Sequence, residues 1–372
     1  MYNEWTASEA AINSCCSYNS YTTNRKQAGI RNRMKKDKAL LHPRSLWSVL
    51  TAALLMLSGL GTARAFTASD AALALTCYNN NFYYTLDSGA QGYYRVEDGS
   101  GSPTSFWQYA EQIELACDSG NAAMVNQLCS GFEVVNGTSW SWNAYNDDLM
   151  WASIAFDRAY TLTGNTSYLT LSENSFNTSY NRGWDTVNGG LWWNTSDDGK
   201  PSCANGPGCI AGCLLYQSTG VSTYRTEAQN IHTWEINNVY DNNTGAVMSS
   251  PGSGQYFTYD AGTFVGGAYY LGDTSRAPAA ANWVQNEWGT DLQAFGYGSD
   301  AGGFDGICIR WLAKAGLKTA FLQSVVNNAW SYRNSRGLVT CCWYQRTPDL
   351  PFALYSWDCS SVVVGMLCVP PG

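Results

Sequence analysis

Two consecutive aspartates, Asp147 and Asp148, sit in a stretch crowded with rings, flanked by Trp140, Trp142, Tyr145 and Trp151. Paired carboxylates among aromatics suit the cleavage of glycosidic bonds. One carboxylate attacks or stabilises the anomeric carbon and the other moves the proton. Flat apolar rings offer stacking faces to sugars. Two close acids also repel, which keeps one protonated as general acid while the other stays ionised. Adjacent residues reach the ~5–5.5 Å carboxyl separation of a retaining mechanism more easily than the longer separation of an inverting one. The competing reading is local: Asn146 or Asp147 caps a helix, and the acids favour its dipole.

Rival chemistries are poorly served. The chain has two histidines, His42 and His232. Only His232 lies beyond the N-terminal leader, within a helical pattern that reads as structural, so a Ser-His-Asp or Cys-His system is not expected. Neither a phosphate loop nor a dinucleotide fingerprint is present, and no cofactor is expected. Irregular cysteine spacings and a single histidine also argue against a zinc site.

The leader is legible in the residues before 66. Residues 1–33 are polar and patternless and read as a disordered or spurious extension. Residues 34–65 read as a secretory signal: Lys35, Lys36, Lys38 and Arg44, an apolar run from Leu46 to Leu60, then Ala63, Arg64 and Ala65 as a small-x-small cleavage site. The run is shorter than the ~20 residues of a membrane span; a signal anchor is the alternative. Residues 66–372 then form a single catalytic domain, with 12 basic and 26 acidic residues. That charge disfavours nucleic acid and anionic membrane as partners. A monomer is expected, extracellular and free of the membrane once the signal is removed. The sequons at Asn136, Asn165, Asn177, Asn194 and Asn242 agree with secretion. In an oxidising compartment, the nearest cysteine pairs are Cys117 with Cys129, Cys203 with Cys209 or Cys213, and Cys359 with Cys368. The C-terminal segment 360–372 lacks the spacer and long apolar tail of a lipid-anchor signal and reads as a packed helix.

The elements that must hold the pair are helical throughout. Apolar periodicity predicts helices near 69–82, 104–117, 121–133, 147–163, 166–181, 203–218, 222–240, 260–272, 275–288, 303–315, 317–334 and 357–368. Gly164, Gly220, Gly272 and Gly316 recur at the ends of similar segments, 56, 52 and 44 residues apart. Each marks a tight turn between two helices. Six such hairpins predict an all-α (α/α)6 barrel, with an open solenoid as the alternative. Long Trp- and Gly-rich connections such as 183–202 and 243–258 would shape the site at one end.

Several segments in order resemble one family. They are Asn146-Asp147-Asp148 with Trp151; Gly183, Trp184 and Asp185 ahead of Gly189, Gly190, Trp192 and Trp193; Lys200 with Asn205; Tyr259 through Phe264; and Phe304, Asp305 and Gly306 with Arg310. Together they resemble glycoside hydrolase family 76, the α-1,6-mannanase family with fungal cell-wall relatives, over residues 70–368. The resemblance implies an (α/α)6 barrel and a retaining endo-mannanase acting on α-1,6-mannan, with Asp147 as nucleophile and Asp148 as acid/base. It makes Trp192 and Trp193 sugar platforms. Arg310 and Asp305 become hydroxyl ligands or an internal ion pair, and Asn146, Trp151, Tyr259 and Thr263 further binding residues. Two departures stand out: Asp260-Ala261 replaces Asn-Gln, and Asp305 replaces Lys. A wall transglycosidase using the same covalent intermediate, or a non-catalytic glycan-binding protein, are the alternatives. A glycan on Asn194 would crowd the cleft, so that sequon is expected to be empty or turned away.

Overall fold

Burial sorts the helices into two kinds. In the computed structural model, which describes residues 65–86, 89–349 and 353–372, there are twelve α-helices. The extension and leader before residue 65 lie outside the described residues. Six helices are buried almost all round: α2 (Phe106–Asp118), α4 (Asn146–Thr163), α6 (Ser202–Thr219), α8 (Thr258–Leu271), α10 (Phe304–Lys314) and α12 (Ser356–Cys368). In α4, for example, every residue from Leu149 to Asp157 is buried. The other six bury one stripe: α1 (Ala68–Phe82), α3 (Ala122–Asn136), α5 (Thr166–Gly183), α7 (Ser222–Asn238), α9 (Arg276–Trp288) and α11 (Thr319–Ser331). The stripe of α9, Ala277, Ala280, Ala281 and Val284, has the i, i+3, i+4, i+7 spacing of a helix with one wet face.

Contacts follow from that division. Each inner helix packs on the next inner helix, and α12 returns to α2, closing the ring. The outer helices lie against it. This is the (α/α)6 barrel expected from the periodicity, not an open solenoid. No described helix is long and apolar enough to cross a membrane.

Gly164, Gly220, Gly272 and Gly316 turn inner helices into outer ones, with φ of 73°, 74°, 80° and 67°. Only glycine takes this left-handed conformation without strain, which explains the repeat. These turns are short and lie at the C-terminal end of the inner helices. The long connections, including 184–201 and 239–257, enter the inner helices at the opposite end. One element was not foreseen: a hairpin of β1 (Tyr83–Leu86) and β2 (Gln91–Tyr94) after α1.

The cysteine pairings are corrected by the helices. Cys203, Cys209 and Cys213 all lie on α6, and Cys359 and Cys368 both lie on α12. Residues six, nine or ten apart on one helix are separated by about 9, 13 and 15 Å, beyond the span of a disulfide. Among the described residues all eleven cysteines, including Cys117 and Cys129, are free thiols.

Candidate active site

The aspartate pair lies in the first turn of α4, at the end of the barrel where the long connections gather. The cap position is Tyr145, which makes no side-chain cap bond, so neither Asn146 nor Asp147 is the capping residue. Asp147 and Asp148 are half-buried. The segment 191–195 is pinned to this helix start. Asn146 N–H donates to the Trp193 carbonyl at 2.7 Å, and Thr195 N–H donates to the Ala144 carbonyl at 3.0 Å.

That clamp places the Trp193 indole, whose Nε1–H donates to Asp147 Oδ2 at 3.0 Å. Cys203 Sγ, at the start of α6, donates to the same oxygen at 3.5 Å. The other oxygen, Oδ1, is buried without a partner. Burial pushes the Asp147 carboxyl up to about 6, and the bonds from Trp193 and Cys203 hold it from rising further. Asp148 is raised well above the usual carboxylate range by burial and then by the charge of Asp147. Asn143 Nδ2 donates to Asp148 Oδ2 at 2.8 Å. Two neighbouring acids are thus biased to opposite states: Asp147 toward the ionised form and Asp148 toward the protonated one.

A second layer fixes these partners. Asn143 Oδ1 accepts from Tyr145 N–H at 2.9 Å, which orients the amide toward Asp148. Arg182 donates to the Asn143 carbonyl and to Asn146 Oδ1, both at 2.7 Å. Asn146 Nδ2 in turn donates to the Trp192 carbonyl at 2.8 Å. Asn146 is therefore fully enclosed, with its amide oxygen and nitrogen both bonded to the protein, and its expected contact with a ligand is corrected to a positioning role.

The other expected site residues divide. Trp193 is half-buried beside exposed Tyr145, ring centroids 5.3 Å apart. Trp192 is half-buried too, with Lys200 Nζ 4.4 Å from its ring centre; that lysine is anchored by Asp185 and the Gly189 carbonyl, both at 2.6 Å. Tyr259 stacks on Phe304 at 3.7 Å. Trp151 is buried beneath Trp107 and Tyr259, so it supports the aromatic floor and does not present a face. Thr263 is buried, its hydroxyl donating to the carbonyls of Tyr259 and Asp260. Asp305 is buried and accepts from Thr258 Oγ1 at 2.8 Å. Arg310 does not face the pair. It is enclosed in a network with Glu111, Asp118 and Glu114, which Arg158 extends toward the far end of the barrel. The internal ion pair is the arrangement the structure contains.

Two residues beside the pair escaped the sequence reading. Asp300, in the connection before α10, accepts from Trp107 Nε1 at 3.1 Å and Gln108 Nε2 at 3.0 Å, and its charge adds to the rise of Asp148. Trp107, half-buried in the first turn of α2, packs on Trp357 and Phe304. Their only sequence signal was composition: an acid and an indole, each in a segment entering an inner helix.

Comparisons agree with this architecture. An α-1,6-mannanase from Salegentibacter sp. HEL1_6 is 22% identical, with a TM-score of 0.69 over 81% of this chain and 98% of that one. An inactive variant of it, with two consecutive aspartates changed to asparagine, is solved with α-1,6-mannotriose and has a TM-score of 0.70. Dfg5 from Chaetomium thermophilum, solved with glucosamine, is 16% identical, with a TM-score of 0.63 over 82% of this chain and 91% of that one. At these identities the likenesses show the fold. No curated protein matches the chain. The model of glycosyl hydrolase family 76 matches residues 104–342, which takes in the acid pair and five of the six inner helices, and the chain belongs to that family.

Proposed function

We propose that the protein is a secreted retaining endo-α-1,6-mannanase working by double displacement. The observation that carries this is the unequal environment of two adjacent carboxyls. Asp147 has one oxygen held by Trp193 and Cys203 and the other without a partner, the form a nucleophile needs. Asp148, its carboxyl raised well above the usual range, holds the proton it gives to the departing glycosidic oxygen. A mannosyl ester on Asp147 follows. Asp148, now ionised, then takes a proton from the incoming hydroxyl, which displaces Asp147 from the anomeric carbon. The inactive double-aspartate variant of the Salegentibacter enzyme, crystallised with α-1,6-mannotriose, supports both the site and the substrate class.

A second reading shares the first half of the cycle. If a glycan hydroxyl replaces water in the second step, the protein joins chains in the wall, and the likeness to Dfg5 favours keeping this option. Incubation with α-1,6-mannooligosaccharides, with and without added acceptor, separates the two by mass spectrometry. Hydrolysis gives shorter chains alone; transfer gives products longer than the donor. Binding without turnover by wild type would refute both.

A further inference from the structure

Three side chains from two helices meet in the barrel wall. Cys209 of α6 and His232 and Glu235 of α7 are all buried, and their Sγ, ring-nitrogen and carboxylate atoms lie within 4.8 Å of one another. They do not satisfy each other. His232 Nδ1 and both oxygens of Glu235 are buried without a hydrogen-bond partner, and Nδ1 is 3.7 Å from Glu235 Oε2, too long for a hydrogen bond. Leaving such groups dry and unpaired is costly.

The far side of the imidazole is arranged differently. His232 Nε2 lies 3.4 Å from Asp273 Oδ2, and Asp273 is fixed by Arg276 at 2.9 Å. A carboxylate that accepts from Nε2–H leaves the Nδ1 lone pair aimed at Cys209 and Glu235. A carboxylate behind a histidine is the usual support of a metal-bound imidazole. Asp260 of α8, near Glu235, is likewise buried with both oxygens unpartnered.

We propose that Cys209, His232 and Glu235 form a zinc site that ties α6 to α7. One thiolate, one imidazole and one carboxylate suit zinc, and bond lengths near 2.0–2.3 Å require the three ligand atoms to close up by only about 1 Å. Binding transfers the Cys209 thiol proton to solvent as the zinc–sulfur bond forms. The sequence conceals the site because the cysteine and histidine stand on separate helices, 23 residues apart, without a paired-ligand motif.

The test uses purified protein stripped with a chelator and reloaded with zinc. One equivalent of bound zinc per chain is expected, with Tm rising by several degrees on reloading. Cobalt in place of zinc should give a thiolate-to-cobalt charge-transfer band in the wild type, a readout that needs no variant. His232→Gln and Glu235→Gln should each lose the metal and the Tm increment. The proposal is overturned if reloaded wild type holds under a tenth of an equivalent with unchanged Tm. It is equally overturned if cobalt binds without the sulfur band, or if both variants keep a full equivalent.

Discussion

Trp193→Phe keeps an aromatic ring beside Tyr145 but removes the N–H that donates to Asp147 Oδ2 at 3.0 Å. A hydrogen bond to a charged group contributes about 1.5–3 kcal/mol. At about 1.36 kcal/mol per pKa unit, the Asp147 carboxyl should move from about 6 to about 7–8. The nucleophile must be ionised, so the acid limb of kcat/KM against pH reports this group in the free enzyme. Measured on α-1,6-mannotetraose between pH 4 and 9, the limb should shift alkaline by about one to two units. At pH 6 the ionised fraction falls from one half to a tenth or less, so kcat/KM should drop about 5-fold or more, recovering toward pH 8. A uniform loss at every pH with an unmoved limb would refute the reasoning, leaving Trp193 as a sugar platform only.

Other consequences follow from the same geometry. Asp147 and Asp148 are raised above their unfolded values, so protonation stabilises the fold: the benefit is complete below about pH 4 and is lost as pH rises through each folded value, about 6 for Asp147 and well above the usual carboxylate range for Asp148. Asp148→Asn should therefore raise Tm at pH 8 more than at pH 4; an equal change at both would contradict the burial argument. Arg310→Met leaves Glu111 without its partner and Asp118 with Arg158 alone in a buried network. It should cost about 3–5 kcal/mol in chemical denaturation while KM for mannotetraose stays within about 2-fold; a selective rise in KM would restore Arg310 to the ligand site. Asn194 is buried and donates to Asp198 Oδ2 at 2.9 Å, whereas Asn165 is exposed. Glycopeptide mass spectrometry of secreted protein should find Asn165 occupied and Asn194 bare.

Periodicity exposed the fold because the two helix kinds differ in pattern, and because a left-handed turn needs glycine at Gly164, Gly220 and Gly272. The acid pair was legible because its chemistry is local to two neighbours. What lay hidden depends on long-range contact. Arg310 and Asp305 sit in ordered motifs, yet whether they meet a ligand or a buried partner is decided by Glu111 and Thr258, distant in sequence. Asp260, one of the two departures from the family pattern, is buried beside Glu235 and adds no charge to an open surface. The cysteine pairs within α6 and within α12 fail for a simpler reason: closeness along a helix is not closeness in space. Trp107 and Asp300 carry no motif at all, and only closure of the ring brings them to Asp148.

The most direct test of the central claim is the stereochemistry of the first product. Proton NMR during cleavage of α-1,6-mannotetraose should show the new reducing end released as the α anomer, before mutarotation, as a mannosyl ester on Asp147 requires. Initial release of the β anomer would mean a single displacement by water, and would contradict the assignment of Asp147 as nucleophile.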